Sequence, residues 1–277
     1  MKNILLLTDF SENSFNAIDY ALRYFKKREC HFYVLNIQKQ SEYIMDDLIM
    51  ASSGETVYDC IATDNKKELS KLVKTLKESY PKERYYFHPL FDFDNLVNAV
   101  NQAVQFHEIE LIVMGTNGAT GAKEVLFGSN TVKVIRNAIC PVLAIPEGYQ
   151  FSALKTAIFY TEKSEVIDTD QLNTMKDLLT IHKPEIHVVE FKTKAVKTEK
   201  EKITSNELFT EFSCHFHAID EPSSWSTIRT TTQLLEADFK AIFVHKESLL
   251  ERIFSGSKTS SLTYETRVPL LLLPTRE

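Results

Sequence analysis

Hydrophobic and polar positions follow two different periods along the chain. Short apolar runs such as Ile4–Leu7 are typical of buried strands, whereas Asn95–Phe106 carries apolar residues at helical spacing. The pattern predicts strands at Ile4–Leu7, Phe32–Ile37, Tyr85–Leu90, Leu111–Met114 and Val142–Ile145, and helices at Ser14–Phe25, Lys66–Tyr80, Asn95–Phe106 and Asn130–Asn137. Because strand and helix alternate, we expect right-handed βαβ units and a doubly wound parallel sheet of the α/β class.

The plan is repeated in the second half of the chain. "CPVLAIP" (140–146) returns as "VPLLLLP" (268–274), and "NILLLTDFSE" (3–12) resembles "TAIFYTEKSE" (156–165). The repeat predicts strands at Ile158–Tyr160, Ile186–Phe191, His215–Ile219, Ile242–Val244 and Leu270–Leu273, and helices at Gln171–Leu179, Ser224–Leu235 and within Lys200–Phe212. We therefore expect two tandem five-stranded domains, residues 1–148 and 153–277. Pairing of their apolar closing strands would bury both edges and make an intramolecular pseudo-dimer.

Composition narrows the class of protein. The 277 residues are 43% hydrophobic and 25% charged, with a net charge of −6, as in a soluble globular protein. The chain has no sustained basic run for nucleic acid and no apolar run of about 18 residues for a membrane span. The four cysteines include no CxxC pair, and the first residues are too polar for a signal peptide, so we expect a cytoplasmic protein with reduced thiols.

Four of the seven glycines lie in "MGTNGATGAKEVLFGS" (114–129), which begins at the end of the predicted fourth strand. Ligands of such sheets bind at the carboxyl ends of the strands. Gly115, Gly118 and Gly121 would let the backbone turn tightly and bring its N–H groups to a ligand. Ser129 is predicted to cap the next helix, whose free N–H groups favour an anion. The spacing, G-x2-G-x9-G-[ST], is neither that of a P-loop nor that of GxGxxG.

This stretch resembles the nucleotide-binding signature of the universal stress protein family. "LLTDFSENSFNAIDYAL" (6–22) is similar to the opening of that family, although Leu7 stands where the family often has proline, and "CPVLAIP" is similar to its closing strand. The resemblance covers the first half from end to end and the second half in outline, which suggests a tandem member. It implies an adenine nucleotide as ligand (ATP, AMP or ADP) and leaves open whether Mg²⁺ accompanies the nucleotide. It also allows a homodimer, because family members dimerise.

The resemblance also implies roles for individual residues. Thr8 and Asp9 would contact the adenosine, Ile37 would pack on the base, and Met114 and Gly115 would flank the ribose. The phosphates would meet Gly118, Gly128, Ser129, Asn130 and Thr131. The structural alternatives are a helix-capping role for Asp9 and a core role for Ile37.

The second half has lost part of this signature. The counterparts of Gly115 and Gly118 are expected within "HKESLLER" (245–252), which has no glycine and appears about two residues shorter. Glu162 replaces Asp9, and Gly256-Ser257 is expected to serve only as a turn and helix cap. We therefore expect the nucleotide to be held by the first half alone.

These observations favour an ATP-binding regulatory or stress-response factor that acts through an unidentified protein partner. The glycine-rich stretch has no histidine, no carboxylate except Glu124 and no lysine except Lys123. Glu124 is expected on a solvated face and not as a general base, so ATP hydrolysis is expected to be slow or absent. One alternative is a nucleotide-independent interaction scaffold of the same fold. A second alternative is an enzyme of the wider adenine-nucleotide α-hydrolase-like group, although the chain has neither an SGGxDS-type loop nor an HxGH pair. His215 and His217 lack further ligands at metal-binding spacing, so no metal site is expected.

Overall fold

The computed structural model describes residues 2–38, 57–116, 127–162, 169–191, 209, 211–220, 224–244 and 266–274. Its strands are β1 (Lys2–Leu7), β2 (Cys30–Ile37), β3 (Tyr85–Asp92), β4 (Leu111–Gly115), β5 (Val142–Ile145), β6 (Thr156–Glu162), β7 (Glu185–Phe191), β8 (Cys214–Ile219), β9 (Phe239–Val244) and β10 (Leu270–Pro274). Its helices are α1 (Glu12–Tyr24), α2 (Val57–Ser79), α3 (Leu96–Phe106), α4 (Ser129–Asn137), α5 (Thr169–Leu179) and α6 (Trp225–Leu234). The helix predicted within Lys200–Phe212 falls mostly on residues outside these ranges, as do Gly118, Gly121 and Gly256.

Four helices, α1, α2, α4 and α5, begin earlier than the apolar pattern predicts. The side chain of Ser11 accepts a hydrogen bond from the Ser14 amide (3.2 Å), so α1 starts at Glu12, before the predicted Ser14. Helix α2 starts at Val57 instead of Lys66. The apolar stripe of α2 begins at Leu69, and the turns before it carry no strong start signal that the pattern could register.

The strands form one ten-stranded sheet in the order β3-β2-β1-β4-β5-β10-β9-β6-β7-β8. Every pair is parallel except β5 and β10, which run antiparallel. When the strands of each half are counted from its own first strand, both halves have the order 3-2-1-4-5 from the edge of the sheet to its centre. The second half therefore repeats the strand order of the first half from the opposite edge. The predicted doubly wound α/β architecture is confirmed.

Helices cover both faces of the sheet. On one face, α1, α2 and α5 pack on strand residues that include Ile4, Phe32 and Phe159. On the other face, α3, α4 and α6 pack on residues that include Leu5 and Ile112. The central strands β1 and β4 are apolar along their length because they are buried on both faces.

The two closing strands join the halves at the centre of the sheet. Leu270 pairs with Ala144 and Leu272 with Val142 in the antiparallel ladder between β10 and β5. All of the paired residues are buried, which removes the two apolar edges from solvent. The predicted pairing of the closing strands is confirmed, whereas the domain limits at 148 and 153 stay a prediction.

Side chains extend the contact between the halves on the face that carries α1 and α5. The buried hydroxyl of Tyr24 donates to the Leu178 carbonyl (2.9 Å), and the His182 ring lies against Tyr24 at 4.6 Å with its Nε2 3.2 Å from the Tyr24 carbonyl oxygen. Lys2 forms an ion pair with Asp177 at 3.3 Å. No helix among the described residues is both long and apolar enough to cross a membrane.

Candidate functional site

The carboxyl ends of three central strands bring polar residues to one edge of the first half. Strand β1 lies between β2 and β4, and Thr8, Asn36 and Thr116 stand at or just beyond the ends of these strands. The chain order reverses between β1 and β4, which is the position where open α/β sheets bind ligands. All three side chains are buried.

Hydrogen bonds fix the loop that follows β1. The Thr8 hydroxyl lies 3.0 Å from the Ser14 hydroxyl and accepts the Phe10 amide at 3.0 Å. The Asn36 side-chain amide donates to the Thr8 carbonyl at 2.8 Å, which ties the loop to β2. Phe10 has a φ of 62°, in the left-handed region that non-glycine residues rarely occupy. The loop is therefore held in one specific, tightly turned conformation.

Asp9 is exposed beside this loop. Its Oδ1 accepts hydrogen bonds from the amide (3.1 Å) and the hydroxyl (2.5 Å) of Ser11, which is the N-cap of α1. Asp9 therefore braces the cap instead of capping the helix itself. This structural role leaves Asp9 at the solvent-facing side of the predicted site.

Gly115 ends β4 where helix α1 passes close to the strand. A Cβ at this position would lie 2.5 Å from Nδ2 and 2.8 Å from Cγ of Asn13 on α1. Packing of α1 on β4 thus requires a glycine here, apart from any need of a ligand. Met114, the residue before it, is buried on the opposite face together with Leu7, and the half-buried Ile37 packs against the same cluster.

Helix α4 begins one residue earlier than predicted. Gly128, and not Ser129, is the N-cap, and it makes no side-chain capping bond. The first intrahelical bond runs from the Val132 amide to the Gly128 carbonyl (3.0 Å), so the amides of residues 129–131 have no acceptor within the helix. Gly128 has a φ of −59°, so a positive φ is not the reason for glycine at this position. Glycine is, however, among the residues that are favoured at an N-cap.

The side chains of the first turn of α4 divide into two groups. Ser129 and Asn130 are exposed, whereas Thr131 is buried. The Thr131 hydroxyl lies within hydrogen-bonding distance of the carbonyls of Gly115 (3.1 Å) and Thr116 (2.9 Å), and the Gly128 amide donates to the Thr116 carbonyl at 2.6 Å. These bonds lock the start of α4 to the end of β4. The Thr131 hydroxyl is used for this purpose, so only its backbone amide remains for the phosphate contact that the resemblance implied.

Two buried polar atoms at this edge have no hydrogen-bond partner among the described residues. They are Oγ1 of Thr116, whose residue is 1% exposed, and Oδ1 of Asn36, whose residue is 5% exposed. Neither residue was singled out from the sequence. Asn36 could have been noticed as a polar residue between Leu35 and Ile37 near the end of an apolar strand.

A cavity of about 530 Å³ lies beside this edge, between α3 and the ends of β2 and β3. Its walls include Leu90, Phe91 and Phe106, and none of the residues predicted for the nucleotide lines it. The predicted site and this cavity are therefore separate features of the first half.

Strand register corrects the comparison with the second half. Gly115 pairs with Ile145 of β5, and the residue that pairs with the matching Leu273 of β10 is Phe243. The counterpart of Gly115 is therefore Phe243 and not a residue of 245–252. The following loop is also not shorter, because Phe243 precedes Gly256 by as many residues as Gly115 precedes Gly128. Phe243 is fully buried and packs edge-on against Phe159 at 5.5 Å.

Metal-binding geometry is not found in the described ranges. No group of three or more histidine, cysteine, aspartate or glutamate residues there is arranged to hold a metal ion. His215 and His217, which alternate on β8, are included in this result.

The comparisons with known proteins agree with the fold. The sequence profile of the universal stress protein family matches residues 1–146, so the chain belongs to this family. Its curated relatives include universal stress protein MJ0531 of Methanocaldococcus jannaschii, 28% identical over 144 residues, 52% of this chain and 81% of the relative. Universal stress protein YxiE of Bacillus subtilis is 24% identical over 143 residues, 51% of this chain and 97% of the relative.

A solved structure resembles the whole chain. The crystal structure of a universal stress protein from Archaeoglobus fulgidus covers 98% of this chain and 96% of its own, with a TM-score of 0.69 and 16% identity. At this identity the similarity shows the fold alone. It extends over both halves, whereas the curated relatives match about half of the chain.

Proposed function

We propose that this chain is an adenine-nucleotide-binding regulatory protein of the stress response, in which the first half binds ATP, ADP or AMP. The site would lie at the carboxyl ends of β1, β2 and β4 and at the start of α4. Its glycine-rich segment, residues 117–126, lies outside the described residues and enters the proposal on its sequence alone. Mg²⁺ is not part of the proposal.

The buried hydroxyl of Thr116 carries the proposal. A buried hydroxyl without a hydrogen bond is costly, and native proteins seldom leave one unless a ligand, a water or another group satisfies it. Thr116 directly follows β4, and its carbonyl is bonded to the start of α4, where the amides of residues 129–131 have no acceptor among the described residues. Amide donors at a helix N-terminus favour an anion, which the helix dipole stabilises further. Together these groups support binding of a phosphate at this point.

The remaining residues suit the rest of a nucleotide. The fixed loop of Thr8 and Asp9 offers a carboxylate as a hydrogen-bond acceptor for a ribose or base. Ile37, half-buried against the core of one face of the sheet, would pack on the base, and Met114 and Gly115 would flank the ribose. Ser129, Asn130 and Thr131 would supply backbone amides, and the exposed side chains of Ser129 and Asn130 would add polar contacts. The Gly128 amide is bonded to the Thr116 carbonyl, so Gly128 would contribute by leaving the approach to these amides open.

The second half lacks the matching space. Phe243 fills the position of Gly115, and its ring is part of the core. We therefore propose one nucleotide per chain. The pairing of β5 with β10 gives the second half a structural role. The same pairing favours the nucleotide-independent scaffold as the second candidate function.

The proposal is tested by identifying small molecules released from the purified, denatured protein by mass spectrometry. We expect an adenine nucleotide from the wild-type chain and none from Gly128→Val, because a branched side chain at the N-cap would cover the amides of α4. Gly256→Val is the matched control in the second half and should retain the nucleotide. A well-folded wild-type protein that neither carries nor binds ATP, ADP or AMP would favour the scaffold.

A further inference from the structure

Each half of the protein contains a pair of histidines that joins its outermost strand to the neighbouring strand. In the first half, Nδ1 of His31 on β2 lies 3.0 Å from Nε2 of His88 on β3. In the second half, Nδ1 of His187 on β7 lies 2.9 Å from Nε2 of His217 on β8. The rings of both pairs are nearly parallel, with interplanar angles of 8° and 17°.

These pairs occupy the two positions where the sheet is weakest. Strands β3 and β8 are the ends of the ten-stranded sheet, and each has a neighbour on one side only. Phe216 on β8 and Tyr86 on β3 are large side chains left exposed, 43% and 47%, so these strands bury less surface than the central ones. Cross-strand side-chain contacts therefore account for a larger share of the attachment of the edge strands.

The two pairs have the same geometry at different places in the repeat. Each joins a residue to the diagonal neighbour two positions beyond its ladder partner, since His31 pairs with Tyr86 and His187 pairs with His215. By register with the first strand of each half, His187 corresponds to Tyr33 and not to His31. The second pair is thus shifted two residues along the strands, and it is not a strict copy of the first.

We propose that the two imidazole pairs form an acid-sensitive clamp that fastens each edge strand at neutral pH and releases it on acidification. A neutral pair makes one hydrogen bond, with one ring as donor and the other as acceptor. When one ring of the pair takes up a proton, an N–H donor still faces a nitrogen acceptor, so the hydrogen bond remains. A second added proton leaves two donors and two positive charges face to face, which removes the bond and adds repulsion.

The charged and titratable groups around the first pair reinforce this behaviour. His31 stacks on Tyr86 and His88 on Tyr33, both at 4.7 Å, and Tyr33 contacts His107 at the end of α3 at 4.4 Å. Burial lowers the pKa of His88, and His31, His107 and Lys77 of α2 act in the same direction. None of these facing groups carries a negative charge at neutral pH.

The second pair has a more mixed environment. His215 stacks on His187 at 5.1 Å, and its Nε2 lies 2.5 Å from a carboxylate oxygen of Glu185. Burial lowers the pKa of His187, with His217 and His215 acting in the same direction and Glu185 opposing them. We therefore expect β3 to be released at a higher pH than β8.

The expected effect follows from the distance between the rings. Two unit charges about 3 Å apart repel each other enough to shift an equilibrium about tenfold, even at the dielectric constant of water. The sign is fixed because a lowered pKa in the closed state means that the open state binds more protons below pH 6.5. Opening of the edge strands should therefore increase about tenfold between pH 7.5 and pH 5.

Hydrogen exchange of the full chain, followed by mass spectrometry and corrected for the intrinsic pH dependence of exchange, tests the clamp. We expect about tenfold loss of protection at pH 5 in peptides of β3 and β8, with β1 and β4 unchanged. In the double variant His88→Gln, His217→Gln, each pair keeps a donor and an acceptor and can take up only one proton. Repulsion within a pair cannot arise, so most of the pH dependence of edge-strand protection should be lost. His107→Gln removes only one of the groups that act on His88, so it should retain most of the pH dependence of β3 and all of that of β8.

A uniform loss over the whole sheet, no loss, or the same loss in the double variant would overturn the proposal. NMR titration of the wild-type imidazoles is a second readout that needs no variant. The clamp requires each pair to take up its protons in two separated steps. Four rings that titrate independently in single steps would contradict it.

Discussion

Replacement of Gly115 by alanine tests whether the close contact between α1 and β4 determines the residue at the end of β4. The new Cβ would lie 2.5, 2.8 and 2.9 Å from three side-chain atoms of Asn13, against an ordinary contact distance of 3.4–4 Å. Something must move by about 1 Å, and Asn13 is 6% exposed, so it has little room to move. Overpacking of this kind costs about 1–3 kcal/mol, which we expect as the loss in the free energy of unfolding.

A double-mutant cycle isolates this contact. Asn13→Ala removes all three clashing atoms, so Gly115→Ala should cost about 1–2 kcal/mol less in the Asn13→Ala background than in the wild type. Gly148→Ala is the matched control. Gly148 has a φ of +68° and open space around its missing Cβ, so it should lose about 1–2 kcal/mol through backbone strain, with no coupling to Asn13.

The assay is urea unfolding followed by far-UV circular dichroism, with the midpoint and slope determined for each variant. Additivity of Gly115→Ala and Asn13→Ala within about 0.5 kcal/mol would refute the reasoning. It would show that α1 does not require a glycine at the end of β4. The glycine would then have to be explained by the ligand alone.

Four further predictions concern the contact between the halves, the start of α4, pH and turnover. Tyr24→Phe removes one of two donors to the buried Leu178 carbonyl, which keeps the Ile181 amide at 3.2 Å, and should cost about 0.5–1.5 kcal/mol in urea unfolding; an unchanged midpoint would contradict this. Thr131→Val should cost a similar amount while Thr131→Ser retains the wild-type stability, and equal losses would show that the hydroxyl bonds to β4 do not matter. Burial lowers the pKa of His182, so the unfolded state binds more protons below pH 6.5 and the free energy of unfolding falls on acidification. His182→Gln should make this decline with pH shallower, and an unchanged decline would argue against this role of His182. ATP turnover by the purified chain should stay below about one per second, and faster turnover abolished by Glu124→Gln would show that the chain is an enzyme.

Much of the fold could be predicted because burial leaves a strong signal in the sequence. The apolar runs of β1, β4 and β5 and the repeat of "CPVLAIP" were sufficient to predict the doubly wound α/β architecture and the pairing of β5 with β10. Helix starts were less predictable, since a cap such as Ser11 or Gly128 depends on a few local hydrogen bonds. The apolar pattern does not record these bonds.

The candidate site was only partly predictable for a different reason. Glycine spacing located the edge of the sheet, but it did not show that Asn13 occupies the space beside Gly115 or that Thr131 is committed to β4. Thr116 and Asn36 were missed because an unsatisfied buried atom is visible only when its surroundings are known. Alignment by sequence alone also shifted the counterpart of Gly115 by two positions, from Phe243 to His245, because register is set by strand pairing.

Calorimetric titration of the full chain with ATP tests the central claim most directly. The account predicts one site per chain, abolished by Gly128→Val and unchanged in Gly256→Val. ATP at one hundred times its Kd should raise the free energy of unfolding of the half that binds it by about 2.7 kcal/mol. Two sites per chain, or a single site that survives Gly128→Val and is lost in Gly256→Val, would show that the second half carries the function.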